Sequence, residues 1–460
     1  MKIAFHTLGC KVNQYETEAM MAEFKGLGHD IVSEHESADV YVINTCTVTA
    51  MADKKSRQFA RRMKKQNPDS VIVVTGCYSQ ISPEDVAAVD GVDIVTGTAD
   101  RKKIPEYVAD FMESGTKQVH VKGFAELDSY EEMSAVTEGA GRTRAFIKIQ
   151  EGCNRFCSYC VIPYARGKIR SRDIGSIKAE AEELVAKGYK EIVLAGINTA
   201  LYDMEGRGTA GGSEGNAAGA DKNWVAGEIY GVEKAIAVIN EIPGDFRIRL
   251  SSLEPAVVSA DYVRGLMKYD KLCHHMHLSC QSGSDQVLSA MNRPYTRAQY
   301  TDIVKVLRDF DPLYGISTDI IVGFPGEKDG DFQDSLSLVE ECGFVKTHIF
   351  KYSKRPFTKA AELKGQVSPQ VKGERSARLQ EAAKLAMTGF LRDNEGTEAV
   401  VLIEEYDADR KLMHGYSDNY INIYVNCENE ETFCAFQNTF VNVTLEKAFD
   451  DGMKGALNEK

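Results

Sequence analysis

The chain has 460 residues, of which 43% are hydrophobic, 27% charged and 9% aromatic. This balance excludes an intrinsically disordered chain, and at about 100 to 200 residues per domain the length predicts about three folded domains. The 55 Lys and Arg residues against 68 Asp and Glu give a net charge of −13, which argues against nonspecific polyanion binding but leaves room for a local basic face.

Residues 1–112 alternate short apolar runs with amphipathic stretches, a pattern typical of a parallel sheet with crossover helices. Strands are predicted at 2–6, 39–44, 70–75 and 93–95, and helices at 17–27, 51–66 and 83–88. We interpret this region as an open parallel α/β domain. From 113 to about 141 the periodicity fades into Ser, Glu and Gly, which indicates a linker.

A second series of strands and helices lies within 139–369 and resembles most of a (β/α) barrel. Strands are predicted at 145–150, 191–194, 247–250, 275–279, 315–322 and 347–352, with helices such as 177–187 and 300–309 between them. The segment 203–227 interrupts this series with seven glycines, which indicates a disordered surface insertion.

The last part of the chain predicts a third domain at 372–448. A helix pattern at 370–394 is followed by short strand-like runs with turn signals at 398–404, 411–416, 420–425 and 440–445. Short strands in close succession favour a small β-barrel.

The sequence offers no apolar leader before its first strand-like segment, and apolar runs such as 71–75 are far shorter than the ~18 to 20 residues of a membrane span. We therefore expect a cytoplasmic protein without a membrane partner. In this setting the 11 cysteines argue against a disulfide scaffold and favour metal ligands, catalysis or core thiols.

Three cysteines follow the first barrel strand in the spacing C-x3-C-x2-C, namely Cys153, Cys157 and Cys160. Three closely spaced cysteines offer three soft sulfur ligands, and these favour an iron–sulfur cluster. Three ligands on a four-iron cube leave one iron open to a substrate or cofactor. A structural zinc site is the alternative, but no fourth Cys or His follows within the next ten residues.

Cys10, Cys46 and Cys77 each directly follow a predicted strand of the first domain. Since ligands collect at the carboxyl ends of parallel strands, these thiols predict a second three-cysteine cluster; three ordinary buried cysteines are the alternative. The other cysteines are predicted to be core thiols: Cys273, Cys280, Cys342, Cys427 and Cys434. Strand alternation places His275 and His277 on one barrel face.

The first cysteine motif, C-x3-C-x2-C after a barrel strand, resembles the radical S-adenosylmethionine (SAM) superfamily. Further segments narrow the resemblance to the methylthiotransferases. These segments are the N-terminal cysteine triplet, CVIPYARG at 160–167, SSLEP at 251–255, QSGSD at 281–285, NRPYT at 292–296 and TDIIVGFPGE at 318–327. The resemblance also makes the terminal barrel a TRAM-like RNA-binding domain. The segment TLGCKVNQYET at 7–17 resembles the branch that acts on N6-threonylcarbamoyladenosine in tRNA.

This resemblance implies an enzyme that adds a methylthio group to C2 of N6-threonylcarbamoyladenosine at tRNA position 37, using two 4Fe–4S clusters and SAM. The Cys153 cluster would reduce SAM to a 5′-deoxyadenosyl radical that takes hydrogen from C2. The Cys10 cluster would carry the entering sulfur, which a second SAM methylates. Residues implied to help bind SAM are Gly196, Asn198, Ser252, Glu254, Gln281 and Arg293.

The implied partners are the tRNA anticodon loop, an electron donor such as flavodoxin or ferredoxin, and a sulfur source. Two alternatives stay open. One is the same chemistry on isopentenyladenosine tRNA or ribosomal protein S12, and the other is a noncatalytic iron–sulfur RNA-binding protein.

Basic residues supply candidate RNA contacts despite the negative net charge. The RNA-binding candidates are Lys54, Lys55, Arg57, Arg61 and Arg62 in one predicted helix, and Arg166, Lys168, Arg170 and Arg172 in a second patch beside the cluster cysteines. A solvated helix face is the alternative for the first patch. The segment 415–421 resembles an RNA-facing strand and turn, although residues 393–460 carry 15 acidic against 5 basic side chains. Relatives usually have Gly in place of Phe357.

Overall fold

The computed structural model describes residues 1–133, 143–205 and 229–458. It contains an open six-stranded sheet, two sheets of a partial barrel and a closed five-stranded barrel, in chain order. Most of the predicted insertion at 203–227, and the end of the predicted linker, lie outside the described residues. Among the described helices, none is both long enough and apolar enough to cross a membrane.

The N-terminal sheet has the order β2-β1-β3-β4-β5-β6 and all its pairings are parallel. Its elements are β1 (Lys2–Thr7), α1 (Lys11–Gly26), β2 (Asp30–Val32), β3 (Val40–Thr45), α2 (Ala50–Gln66), β4 (Val71–Gly76), α3 (Cys77–Ile81), α4 (Pro83–Ala87), β5 (Ile94–Thr96), α5 (Ile104–Ser114) and β6 (Gln118–His120). Strands β3 and β4 are buried throughout because they lie at the centre of the sheet with helices on both faces. The predicted open parallel α/β domain is confirmed.

The predicted linker starts later than the sequence pattern indicates. Strand β6 adds a sixth strand to the sheet edge, but its residues are only partly buried or exposed, so it lacks the apolar pattern that identifies a strand. Beyond it, Leu127 and Met133 are buried and the Tyr130 hydroxyl donates to the Lys148 carbonyl oxygen at 2.7 Å. This stretch therefore packs between the first two domains.

The central region forms the predicted partial barrel. Its elements are β7 (Arg144–Glu151), α6 (Ile162–Arg166), β8 (Arg170–Ser171), α7 (Ile174–Ala186), β9 (Glu191–Gly196), α8 (Val232–Asn240), β10 (Arg247–Leu250), α9 (Ala260–Leu266), β11 (His275–His277), α10 (Asp285–Ala290), α11 (Arg297–Phe310), β12 (Gly315–Val322), α12 (Asp329–Cys342), β13 (Lys346–Lys351) and α13 (Lys359–Glu362). The sheets β10-β9-β7-β8 and β11-β12-β13 are joined by parallel bridges from Ile248 to Leu272 and from Leu253 to Leu278. Six parallel strands therefore curve around one interior, and β8 is an antiparallel addition.

Helix α11 illustrates how the outer layer forms. Thr296 and Gln299 make a reciprocal capping box at its start. Such a cap accepts hydrogen bonds from backbone N–H groups that have no partner within the helix. Tyr300, Ile303 and Leu307 then share one face at helical spacing, and all three are buried against the strands.

The C-terminal barrel closes in the order β14-β15-β16-β18-β17, as predicted. Its elements are α14 (Pro369–Asp393), β14 (Glu398–Asp407), β15 (Leu412–Ser417), β16 (Asn422–Asn426), α15 (Glu430–Phe436), β17 (Phe440–Phe449) and β18 (Gly452–Leu457). The closing strand β18 lies past the predicted end at residue 448. Its two glycines, Gly452 and Gly455, remove the side-chain alternation that would mark a strand.

The turn after β15 packs against the central barrel, so the prediction that 415–421 faces RNA is corrected. Arg249 donates to the Asp418 carbonyl oxygen at 3.0 Å, and the Asn419 amide donates to the Leu313 carbonyl oxygen at 3.0 Å. The Tyr420 ring stacks on His275 with the centroids 4.4 Å apart. These contacts close the end of the central barrel where its strands begin.

Phe357 has a backbone φ of 64°, in the left-handed region where a side chain costs about 1 to 2 kcal/mol. Its side chain is 65% exposed, so little packing offsets this cost. We expect Phe357→Gly to raise the free energy of unfolding by about 1 kcal/mol, measured by urea denaturation followed by circular dichroism. Phe357→Ala removes the ring but keeps Cβ, so it should give no such gain; an equal gain from both variants would contradict the backbone explanation.

Candidate functional site: two cysteine triads around one cavity

The structure brings Cys10, Cys46 and Cys77 together at the carboxyl edge of the N-terminal sheet. They follow β1, β3 and β4, which are adjacent and parallel. A Cβ placed on Gly9, whose φ is 118°, would lie 2.9 Å from Cys46 Cβ, so only glycine permits this approach. Cys77 lies within the electrostatic field of both other thiols.

Burial dominates the electrostatics of this triad. It raises the pKa of Cys77 to about 12 and also raises the pKa of Cys46, and Arg166 opposes both shifts. The Arg166 Nε donates to Cys77 Sγ at 3.1 Å. Metal binding at such thiols must release protons, and the guanidinium supplies positive charge that stabilises a thiolate there.

Arg166 belongs to a buried ionic network that the sequence reasoning missed. Its guanidinium pairs with Glu16 and with Glu151, Lys148 pairs with both of these carboxylates, and Arg101 pairs with Glu16 at 3.0 Å. All five side chains are at most 4% exposed. Three positive charges therefore face two negative ones next to Cys77.

This network connects the two cysteine loops. Glu16 comes from α1, which begins next to Cys10, and Glu151 ends β7, two residues before Cys153. The sequence contained one indication of this network. Asn13 and Glu16 lie three residues apart on a helix and therefore share a face. Asn13 Oδ1 accepts from Arg166 at 2.8 Å.

The second predicted RNA patch is corrected for three of its four residues. Arg166, Arg170 and Arg172 are at most 6% exposed, so they are not a phosphate-binding surface. Arg170 donates to backbone carbonyl oxygens and Arg172 pairs with Glu180. Lys168 alone of the four is exposed.

Cys153, Cys157 and Cys160 lie together in the loop between β7 and α6. Cys160 lies in the electrostatic field of both other thiols. Burial raises the pKa of all three, and for Cys153 the nearby Glu254 carboxylate adds to this, giving a pKa of about 12. A Cβ on Gly152 would lie 1.7 Å from the Lys168 carbonyl oxygen, so the loop starts at a position where only glycine fits.

Three of the residues implied to bind SAM form one connected group beside this loop. The Glu254 carboxylate accepts from Asn198 Nδ2 at 2.6 Å, from Arg155 Nε at 3.0 Å and from an Arg293 guanidinium nitrogen at 2.8 Å. Burial alone would raise the pKa of Glu254, but Arg293 and Arg155 lower it below its ordinary value. Arg293 also donates to the Tyr159 hydroxyl at 2.8 Å.

The other three implied residues lie at the same edge of the barrel. Gly196 ends β9 and would clash with Gln150 if it carried a Cβ. Ser252 is exposed, two residues before Glu254. Gln281 adopts a φ of 65° and lines the cavity described next.

A cavity of about 280 Å³ lies between the loop that ends at Cys160 and the segment that follows Cys46. Val48 and Thr49, just after Cys46, form one wall; Cys160 and Tyr159 form another; and Gln281, Arg293 and Asp319 come from the barrel. A buried ion pair between Arg355 and Asp53, at 2.6 Å, holds the N-terminal domain against the last barrel loop. Cys160 of one triad thus lines the same cavity as the residues that directly follow Cys46 of the other.

The first RNA-binding candidates lie on α2. Lys54, Lys55, Arg61 and Arg62 are exposed, whereas Arg57 is half-buried and donates to the Tyr78 hydroxyl.

The remaining cysteines are buried as predicted, except Cys434, which is exposed on α15. His275 and His277 both contact Ser317 Oγ at 3.0 Å, which confirms that they share a barrel face.

Comparison with known proteins identifies the family. Residues 2–97 match the model described as "Uncharacterized protein family UPF0004", and residues 147–339 match the radical SAM superfamily. The chain is 40% identical to the threonylcarbamoyladenosine tRNA methylthiotransferase MtaB of Bacillus subtilis, over 92% of this chain and 89% of the relative. It is 36% identical to the MtaB protein of Aquifex aeolicus, over 92% and 96% of the two chains. The chain belongs to the radical SAM methylthiotransferase family.

Solved structures support the fold of this methylthiotransferase. TsrM of Kitasatospora setae, a radical SAM methyltransferase solved with its tryptophan substrate and a SAM analogue, aligns with a TM-score of 0.54 over 78% of this chain and 75% of that one, at 14% identity. At such identity the likeness concerns the fold alone.

The residues present fit the cofactors of this family, which are SAM and two 4Fe–4S clusters. Within the described ranges no group of three or more Cys, His, Asp or Glu converges on a single metal ion, and a four-iron cube does not require this because its cysteines bind different irons. Each triad offers three free thiols. Next to Cys153, Cys157 and Cys160, the buried atoms Asn198 Oδ1 and Arg293 Nε have no partner in the part of the chain that the structure describes, and such groups are ordinarily satisfied by a ligand or water.

Proposed function

We propose that this protein methylthiolates C2 of N6-threonylcarbamoyladenosine at position 37 of tRNA. The observation that carries the proposal is the cavity that is lined by Cys160 of one triad and by Val48 and Thr49, which follow Cys46 of the other. A base in that cavity can meet both cofactor sites without leaving the protein. The named activity of the most similar relatives supports the substrate.

We assign one 4Fe–4S cluster to Cys153, Cys157 and Cys160, and the other to Cys10, Cys46 and Cys77. When bound, the clusters and SAM supply an electron, a hydrogen-abstracting group, sulfur and a methyl group. The chain orients these groups and excludes water from them. The Arg166 network serves this purpose because it fixes the two cysteine loops relative to each other.

The SAM site is formed by Gly196, Asn198, Ser252, Glu254, Gln281 and Arg293. Glu254 is kept ionised by Arg293 and Arg155, so it is suited to accept hydrogen bonds from an ammonium group. The unpartnered Asn198 Oδ1 and Arg293 Nε supply further polar contacts. These groups are positioned by one another before any ligand binds.

The tRNA would approach across α2 and the cluster loop. Phe156, Tyr164 and Phe357 form an exposed aromatic row there, with centroids 5.6 and 6.0 Å apart, and aromatic rings of this kind stack unpaired bases. Helix α2 begins beside this row, where the Ala50 N–H donates to Ser353 Oγ. Lys168 and the basic face of α2 would bind phosphates.

The RNA surface predicts a salt-dependent loss of affinity when α2 is neutralised. Replacing Lys54, Lys55, Arg61 and Arg62 together by Ala should weaken tRNA binding about 10- to 100-fold and lower the slope of log K against log salt by about 3. Filter binding over a salt series measures both. The control is the exposed pair Lys178→Ala, on α7, and Lys187→Ala, directly after it, and an equal loss there would contradict a specific basic face.

The electron donor is proposed to be a flavodoxin or ferredoxin, and a separate sulfur source would restore the second cluster. We place the reaction in the cytoplasm, where tRNA is available. The acidic C-terminal barrel contributes mainly by closing the central barrel.

An anaerobic assay tests the function. Protein with reconstituted clusters is mixed with SAM, dithionite and an anticodon stem-loop that carries threonylcarbamoyladenosine. We expect 5′-deoxyadenosine and a methylthio product by mass spectrometry. Product from an isopentenyladenosine stem-loop or from ribosomal protein S12 alone would favour the alternative substrates, and RNA binding without 5′-deoxyadenosine would favour a noncatalytic protein.

A further inference from the structure

We infer that Lys11 and His275, inside the central barrel, form the site that binds the carboxylate of the substrate's threonylcarbamoyl group. This inference rests on the proposed function and deepens it. The adenine would occupy the cavity between the triads, and its N6 substituent would extend into the barrel interior.

Lys11 begins α1 next to Cys10, but its side chain is directed toward the barrel. The ionisable groups around its ammonium are Tyr420, Arg249, Glu191 and Arg144, which lie on the barrel strands or on the turn that closes the barrel. His275 and His348, on β11 and β13, lie in the field of Lys11 in turn. Lys11 itself is exposed to solvent.

Lys11 is an unpaired cation in this interior. Among the described residues no carboxylate lies within ion-pair distance of its ammonium and no hydrogen bond to it is formed. Glu191, the acidic group in its field, is already shared by Arg247 and Arg249 at 2.6 and 2.9 Å. A lysine without an anion is a site where an anionic ligand gains a charge-assisted hydrogen bond.

His275 provides an independent indication of a ligand. It is 3% exposed, and its Nδ1 has no partner among the described residues, whereas its Nε2 contacts Ser317 Oγ at 3.0 Å. A buried polar atom without a partner is rare in a folded protein. A ligand carrying hydroxyl or carboxylate groups would satisfy this nitrogen.

The charge balance of the interior favours an anion. Arg144, Arg247 and Arg249 share Glu191 and Glu404, the Asp418 carboxylate also lies in the field of Arg249, and Asp319 is paired with His277 at 3.0 Å. These carboxylates are therefore already engaged by other groups, and Lys11 adds a cation without a carboxylate of its own. A threonylcarbamoyl group brings one carboxylate and one hydroxyl, whereas an isopentenyl group brings neither.

The test compares wild-type protein and Lys11→Gln on two stem-loops, one with threonylcarbamoyladenosine and one with its carboxyl methyl ester. We expect Lys11→Gln to lower kcat/KM for the free acid about 10- to 100-fold, mainly by raising KM. The kcat/KM for the ester should stay unchanged. Lys11→Arg should retain most of the wild-type kcat/KM for the free acid. Lys25→Gln, an exposed lysine at the end of the same helix, should have no effect.

Iron and sulfide content of each variant shows whether the neighbouring Cys10 site is intact. Equal losses on acid and ester, or no loss on either, would overturn the assignment of Lys11 as the carboxylate partner. If wild-type protein fails to modify the free acid at all, the proposed function fails instead, so the two failures are distinguishable.

Discussion

Cys157→Ala should abolish SAM cleavage, whereas Cys46→Ala should spare cleavage and stop methylthiolation. Cys157 is buried in the triad next to Glu254 and Arg293, and a cluster that loses one of three ligands cannot keep the open iron in place. We expect 5′-deoxyadenosine formation to fall by more than about 100-fold, beyond the 10- to 100-fold effect of outer contacts. The measurement is 5′-deoxyadenosine and methylthio product in one reaction.

Cys434→Ala is the matched control, because Cys434 is exposed and distant in sequence from both triads. It should behave as wild type in both readouts. Methylthio product from the Cys46 variant would contradict the division of labour between the triads, since the second site would then not be needed for the sulfur step.

Arg166→Met should destabilise the protein by about 3 to 5 kcal/mol, the usual effect of removing one partner from a buried ion network. Arg166 is fully buried and its loss leaves Glu16 and Glu151 without their shared guanidinium. Urea denaturation of the protein without iron measures this directly. Arg61→Met, at an exposed position, should change stability by at most about 0.5 kcal/mol.

The network also makes a prediction about coupling. Glu16→Gln and Arg166→Met remove the same interaction, so the double variant should be less destabilised than the sum of the two single variants. Strictly additive effects would mean that the two groups act independently, which would contradict their role as one link between the cysteine loops.

The sequence was sufficient for the parts that depend on local pattern. Strands such as β4, β10 and β12 have continuous apolar runs or clear alternation, and their predicted positions differ from the structure by no more than one residue at either end. The two cysteine triads were predictable because sulfur ligands have a recognisable spacing in one case and a repeated position after a strand in the other.

The buried arginines could not be read from the sequence in the same way. Arg166 lies in a basic stretch, which favours a solvated surface, and its partners Glu16 and Glu151 are 150 and 15 residues away in the chain. Only the docking of the N-terminal domain on the barrel brings them together. The same holds for the turn at Tyr420, whose contacts with His275 depend on how two domains pack.

Some strands were also missed for a physical reason. Strands β6 and β18 are short or rich in glycine, and they are held by backbone pairing to a neighbour that already exists. Backbone hydrogen bonds of this kind leave no side-chain pattern. Short or glycine-rich strands are therefore the parts of such a fold that the sequence marks least clearly.

The most direct test of the account is mass spectrometry of tRNA nucleosides from cells with and without the gene. We expect the methylthio form of threonylcarbamoyladenosine to disappear when the gene is absent, with the unmodified form accumulating and the methylthio form of isopentenyladenosine unchanged. Persistence of the methylthio threonylcarbamoyl nucleoside, in cells with no second gene of this family, would contradict the proposed function.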